Sequence, residues 1–172
     1  MTDEPVKQYR VVLWLDGLLD ANRRLEIIRD KLRELDEGAD GMGCAKFRKE
    51  GVRITYTPDK VGNLVAEREQ ARKRLEAESE RIEARLHDAR RVLQDAWDAN
   101  AGANDPAFAY LIHRYVDGMS LPEAARSVGM TSWGAKLYPR KVATMIYDED
   151  PARFPETREE RMDGKPYGYW AF

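Results

Sequence analysis

Between Thr57 and Trp97 the chain carries one apolar stripe that only a long helix can present. Val61, Leu64, Arg68, Ala71, Leu75, Glu78, Ile82, Leu86, Ala89, Leu93 and Ala96 follow one another in steps of three and four. That spacing lines one helical face as a heptad seam, with a four-residue insertion between Ile82 and Leu86. Thr57-Pro58-Asp59 is a strong start: a capping hydroxyl, a proline at the first helical position and an acid in the first turn. A helix of this length with a single apolar face needs a partner to cover it. Arg68 and Glu78 interrupt the seam and alanines thin it, so a coil of this helix with its own copy would be weak. The simplest partner is an earlier helix of the same chain, folded back antiparallel. A homodimer through the long helices is the other arrangement.

The earlier helix is predicted over Val6 to Leu35. Val11, Leu15, Leu18, Asn22, Leu25, Ile28, Leu32 and Leu35 again take steps of three and four, and leave Arg23, Arg24, Asp30, Lys31 and Glu34 to solvent. Gly17 is a soft spot in it, and the three glycines between Glu37 and Gly43 are expected to end it. Lys46 to Tyr56 is the one strand-like stretch, because Val52, Ile54 and Tyr56 alternate with Arg53 and Thr55. A two-stranded hairpin turning at Glu50-Gly51 and an extended linker pressed on the helices both fit it. Its bases (Lys46, Arg48, Lys49, Arg53) suit either a solvated face or a second nucleic-acid contact.

From Pro106 to Ile146 the pattern changes to three short helices. Asn104-Asp105-Pro106 starts the first, Phe108, Leu111, Ile112, Tyr115 and Val116 recur at helical spacing, and Gly118 supplies a left-handed stop. Ser120-Leu121-Pro122-Glu123 is a capping box for the second, which carries Ala124, Ala125 and Val128 inward. Gly129 permits a tight turn, Met130 is expected to plug the angle between helices, and Thr131 or Ser132 caps the third. Ala125 is small where two steeply crossing helices must approach. The stripe Ala135, Tyr138, Val142, Met145 would hold the third helix on the other two. From Ser132 to Ile146 there are three basic residues and no acidic one, which suits a helix lying against phosphates. The same spacing also occurs in core helices with no ligand.

The segment LIHRYVDGMSLPEAARSVGMTSWGAKL resembles region four of bacterial RNA polymerase sigma factors, through Arg114-Tyr115, Gly118-Met119-Ser120, Glu123-Ala124-Ala125 and Gly129. The chain from about Tyr9 to Met145 is similar to small phage and prophage proteins of Gram-positive bacteria related to the ArpU and RinA regulators of late transcription. Those proteins have an N-terminal helix pair, a linker ending near an Asp-Lys pair (here Asp59-Lys60), a long helix and a helix-turn-helix domain. The resemblance implies a sequence-specific DNA-binding transcriptional regulator whose third C-terminal helix enters the major groove. Lys136 and Arg140 would then contact bases or their surroundings, with Thr131, Ser132 and Trp133 at the helix start, while Arg114, Arg126 and Lys141 pair with phosphates. Packing under the turn is an equal alternative for Trp133. This chain departs from the pattern at Pro139, which either kinks the third helix or opens a second one, and at Gly134, which weakens it. It is also about one residue shorter between Thr131 and Lys136, which leaves the base-facing positions open by one.

The expected fold is all-α: an N-terminal antiparallel long-helix hairpin, coiled-coil-like, over 6–99 with a linker at 38–58, then a sigma region-four-like helix-turn-helix domain over 104–147. Asn100 to Asp105 is read as a flexible joint between two lobes, and 148–172 as an acidic, aromatic tail docking through Phe154, Tyr167, Tyr169 or Trp170. Across 172 residues the net charge is −2, so attraction to nucleic acid must come from local patches. The single cysteine, Cys44, rules out an intrachain disulfide and fits a reducing compartment. A cytoplasmic protein with no membrane association is expected, since no signal or twenty-residue apolar run is present. His87 and His113 lack metal-ligand spacing, and there is no nucleophile motif or phosphate-binding glycine loop. No catalysis, cofactor or metal is therefore expected. Two other functions fit the same residues: a module contacting RNA polymerase or a sigma factor without DNA specificity of its own, and a small-terminase-like packaging protein.

Overall fold

The computed structural model describes residues 4–41, 58–100 and 105–154, and every regular element among them is helical. The helices are α1 (Glu4–Gly41), α2 (Pro58–Ala99), α3 (Asp105–Leu111), α4 (Leu121–Ser127), α5 (Ser132–Ala135) and α6 (Tyr138–Glu149). A π-helical turn, Ile112–Val116, continues α3, and a 3₁₀ turn, Pro151–Arg153, follows α6. The strand-like stretch, the joint at 101–104 and the tail beyond Phe154 lie outside the described residues. Among those described, no helix is long and apolar enough to cross a membrane, and no three His, Cys, Asp or Glu side chains gather to hold a metal ion.

α1 is longer than its sequence suggests. It runs unbroken through Gly17 and past Gly38 to Gly41, within the glycine-bearing window expected to end it. Val11, Leu15, Leu18, Leu25 and Ile28 of its stripe are buried, as is Ala21 beside it. At Gly17 a Cβ would meet the Arg85 guanidinium at 2.9 Å, so the missing side chain is room for an arginine from α2. On α2 the stripe residues Leu86, Ala89, Leu93 and Ala96 are buried, with Val92 alongside.

Two compact units divide the chain inside the long helices, not at the joint near residue 100. One consists of 24–83, and charged side chains tie its two helical segments together. Arg24 forks onto both oxygens of Glu78 (2.7 and 3.0 Å), Arg29 reaches Glu83 at 3.2 Å and Arg72 reaches Asp36 at 3.1 Å. Arg68 donates to the Leu35 carbonyl. The two charged residues that interrupt the α2 seam, Arg68 and Glu78, are thus both bonded to α1. These pairs are exposed, so each contributes little beyond register.

The other unit joins residues 1–23 and 84–172. Its core is built where α3 and α6 pack on each other, with Phe108, Leu111, Val142 and Ile146 fully buried and the Tyr110 and Tyr138 rings 5.7 Å apart. Trp97 at the end of α2 stacks on Phe108 at 6.3 Å. Phe154 is only 2% exposed; it meets Trp14 edge-on at 5.5 Å and stacks on Tyr147 at 5.7 Å. Arg10 donates to the Phe154 carbonyl at 3.1 Å, Lys7 pairs with Asp148 at 2.5 Å, and Arg153 pairs with Asp88 and Asp150. Of the aromatics proposed to dock the tail, Phe154 does so; the others lie outside the described residues.

Candidate nucleic-acid interface

The site is approached through a turn of unusual geometry. Over Ile112–Val116 the helix widens, and the Asp117 amide bonds the carbonyl five residues back, on Ile112, at 2.9 Å. Because the helix ends here, the Tyr115 carbonyl in its last turn needs another donor, and the Asn22 amide of α1 supplies it at 2.8 Å. Gly118 then reverses the chain at φ +73°, the left-handed region open to glycine. Asp117 is held by Arg90 of α2 and by His113, whose Nδ1 lies 3.0 Å from its carboxylate. Burial pushes the Tyr115 phenol well above its ordinary range.

Ser120 opens α4 with the expected capping box, and Pro122 sits in the first turn. The Ser120 amide and hydroxyl both donate to the Glu123 carboxylate, at 3.0 and 2.5 Å. These bonds hold the Glu123 carboxyl below its ordinary pKa of 4.5. Ala124 and Ala125 are buried and Val128 half-buried. Gly129 takes φ +70°, and the Met130 amide returns to the Ala125 carbonyl at 2.9 Å, closing the tight turn. Met130 does not plug the interhelical angle. It is 38% exposed and its methyl lies against Gly134.

The third helix is split. Thr131 caps α5 by accepting from the Gly134 amide at 3.2 Å, and α5 lasts four residues. Lys136 and Leu137 keep right-handed dihedrals (φ −60°, ψ −21° and φ −84°, ψ −17°) before α6 begins, with Pro139 in its first turn. Of the two outcomes proline allowed, the chain takes the second: it opens a new helix. α5 packs on α4, whereas α6 packs on α3. The inward face is Ala135, Tyr138, Pro139, Val142, Ala143, Ile146 and Tyr147; Met145 is only half-buried and belongs to its edge.

Because the backbone stays helical across the break, residues four apart share a side. Trp133, Leu137 and Lys141 therefore form an outward row, flanked by Lys136 and the half-buried Arg140. Trp133 is 77% exposed and Leu137 51%, and no acidic residue occurs from Ser127 to Tyr147. Of the two placements open to Trp133, packing under the turn is not the one adopted. Ser132 is half-buried. Arg114 belongs to the π turn and donates to the Met119 carbonyl at 2.7 Å, and Arg126 reaches back along α4 to the Pro122 carbonyl at 3.3 Å. Both arginines therefore brace backbone. Leu137 is the exposed residue that sequence reasoning missed, whereas Met130 is exposed in place of the interhelical position expected for it. Leu137 was findable, since it stands four residues from Trp133 and off the Ala135–Tyr138–Val142 stripe. No protein-family model, curated protein or solved structure matches this chain.

Proposed function

We propose that this chain is a sequence-specific DNA-binding transcriptional regulator of phage or prophage type. In this reading the long helices form an antiparallel hairpin, and residues 105–149 form a helix-turn-helix domain whose α5–α6 segment reads duplex DNA. The observation that carries it is the outward face of that segment: Lys136, Arg140 and Lys141 around an exposed tryptophan, with no carboxylate between Ser127 and Tyr147. In a protein of net charge −2, such a local excess of base is where phosphates would be met. The glycine turn and the capped α4 before it support the same use, since the segment that follows them keeps Trp133, Leu137 and Lys141 exposed while its other face is buried.

Fluorescence anisotropy against tiled duplexes from the neighbouring genome tests this, with wild type and a Lys136→Ala/Lys141→Ala variant. Binding to one fragment that the variant loses is the expected result. Equal, weak binding of both proteins to every fragment would sink it. A second reading, contact with RNA polymerase or a sigma factor, has one observation in its favour: Trp133, Leu137 and Met130 expose more apolar surface than a phosphate-binding face needs. Capture of purified polymerase by a protein that ignores DNA would select that reading.

A further inference from the structure

The outward row mixes two chemistries, and only one of them is explained by phosphates. Lysines and arginines neutralise charge, but Trp133 at 77% exposure and Leu137 at 51% stand in the same row with nothing apolar among the described residues covering them. Exposed large apolar side chains cost solvation unless a partner covers them. The charge around them limits what that partner is: Lys136 flanks the pair, Lys141 stands one turn beyond Leu137, and the nearest acids along the chain are Glu123 and Asp148. A polyanion with apolar groups on its surface fits both features. Duplex DNA presents such groups in the major groove as the C5-methyls of thymine, which are the only apolar knobs on its base edges.

Resting on the DNA-binding reading above, we infer that Trp133 and Leu137 read thymine methyl groups in the major groove, while Lys136 and Lys141 engage the flanking phosphates. The geometry suits this division. Trp133 and Leu137 are one helical turn apart, about 6 Å, on a backbone that stays right-handed through Leu137. Adjacent base pairs are 3.4 Å apart, so the two side chains span neighbouring or next-neighbouring steps. Met130, lying against Gly134, widens the apolar end of the row. Hydrogen bonding to base edges is then carried by few groups, because the Thr131 hydroxyl already serves as the α5 cap. The recognised site is accordingly rich in A·T pairs, and discrimination comes from methyl contact more than from donor–acceptor pairing.

The test uses the full chain and duplexes selected by it from a random twenty-base-pair pool. Each thymine of the selected site is replaced in turn by deoxyuracil, which removes the methyl and keeps the pairing edge. At one to three positions affinity should fall about threefold to tenfold per methyl, as the area lost from contact requires. Trp133→Ala and Leu137→Ala should bind more weakly than wild type and be indifferent to the same replacement. Both residues are exposed, so thermal unfolding of the variants should match wild type. If a site is selected with a steep salt dependence but uracil has no effect anywhere, or the site holds no thymine, the methyl reading is overturned and DNA binding stands. If no duplex is enriched and none binds, both are overturned.

Discussion

At the scale of single residues, three glycines show how one residue type carries different constraints. Gly118 sits at φ +73°, and a Cβ there would come within 3.2 Å of the Asn22 amide oxygen. Gly129 has the same handedness, φ +70°, but open space around it; Gly134 has ordinary dihedrals and faces only the flexible end of Met130 and the Thr131 hydroxyl. Gly118→Ala should therefore cost about 2 kcal/mol or more, Gly129→Ala about 1, and Gly134→Ala should be neutral or stabilising by up to about 1. Urea denaturation of the three variants checks the order; equal costs would contradict it. Asp16 makes a pH prediction. Shielding from water and then the neighbouring Asp20 raise its pKa above 3.8, so the folded state prefers the protonated acid. Its contribution is present below the ordinary value and lost as pH rises through the raised one. Asp16→Asn should thus raise the melting temperature at pH 7 and leave it unchanged near pH 3. Asn22 marks what the sequence could not tell. Its place in the α1 stripe was legible, but its reason was not, because the carbonyl it satisfies exists only once the π turn has formed 93 residues away.

At the scale of elements, local chemistry was mostly readable and its competition was not. The capping box, the left-handed stop and the tight turn follow from Ser120, Glu123, Gly118 and Gly129, whose roles need only their nearest neighbours. The split between α5 and α6 was legible as two alternatives at Pro139. The choice depends on α6 packing against α3, a contact between segments far apart in sequence. Met130 was misjudged for a related reason: the angle it was to fill is closed by backbone bonding to Ala125. The cap gives a prediction at this scale. Ser120→Ala should cost about 1 kcal/mol at pH 7. The depressed Glu123 pKa means that the carboxylate's share is present above 4.5 and lost as pH falls through the lower folded value. The cost of Glu123→Ala should accordingly shrink below that value, measured by denaturation at pH 7 and pH 3. A cost that does not change with pH would show that the carboxylate does not cap α4.

For the whole molecule, the boundary read at the Asn100–Asp105 joint does not coincide with the compact units. Asn, Gly and Ala at 100–104 suggest a joint by composition alone, which says nothing of contacts between the segments on either side. Trp97 stacks on Phe108, Asn22 bonds the π turn, and Trp14 covers Phe154, so the C-terminal helices share a core with the N-terminal part of α1 and the C-terminal part of α2. A fragment of residues 104–154 should therefore fail to unfold cooperatively on its own, whereas the full chain should show one sharp transition for this unit. Circular dichroism during thermal unfolding separates the two cases, and a cooperative fragment would restore the joint as a true domain border. The most direct test of the proposed DNA reading is the salt dependence of duplex binding. With three to five phosphates neutralised per protomer, log affinity should fall with log salt at a slope of about −3 to −4, and Lys136→Ala/Lys141→Ala should flatten it by about 2. A slope near zero, or one the double variant leaves unchanged, would contradict DNA reading by the α5–α6 face.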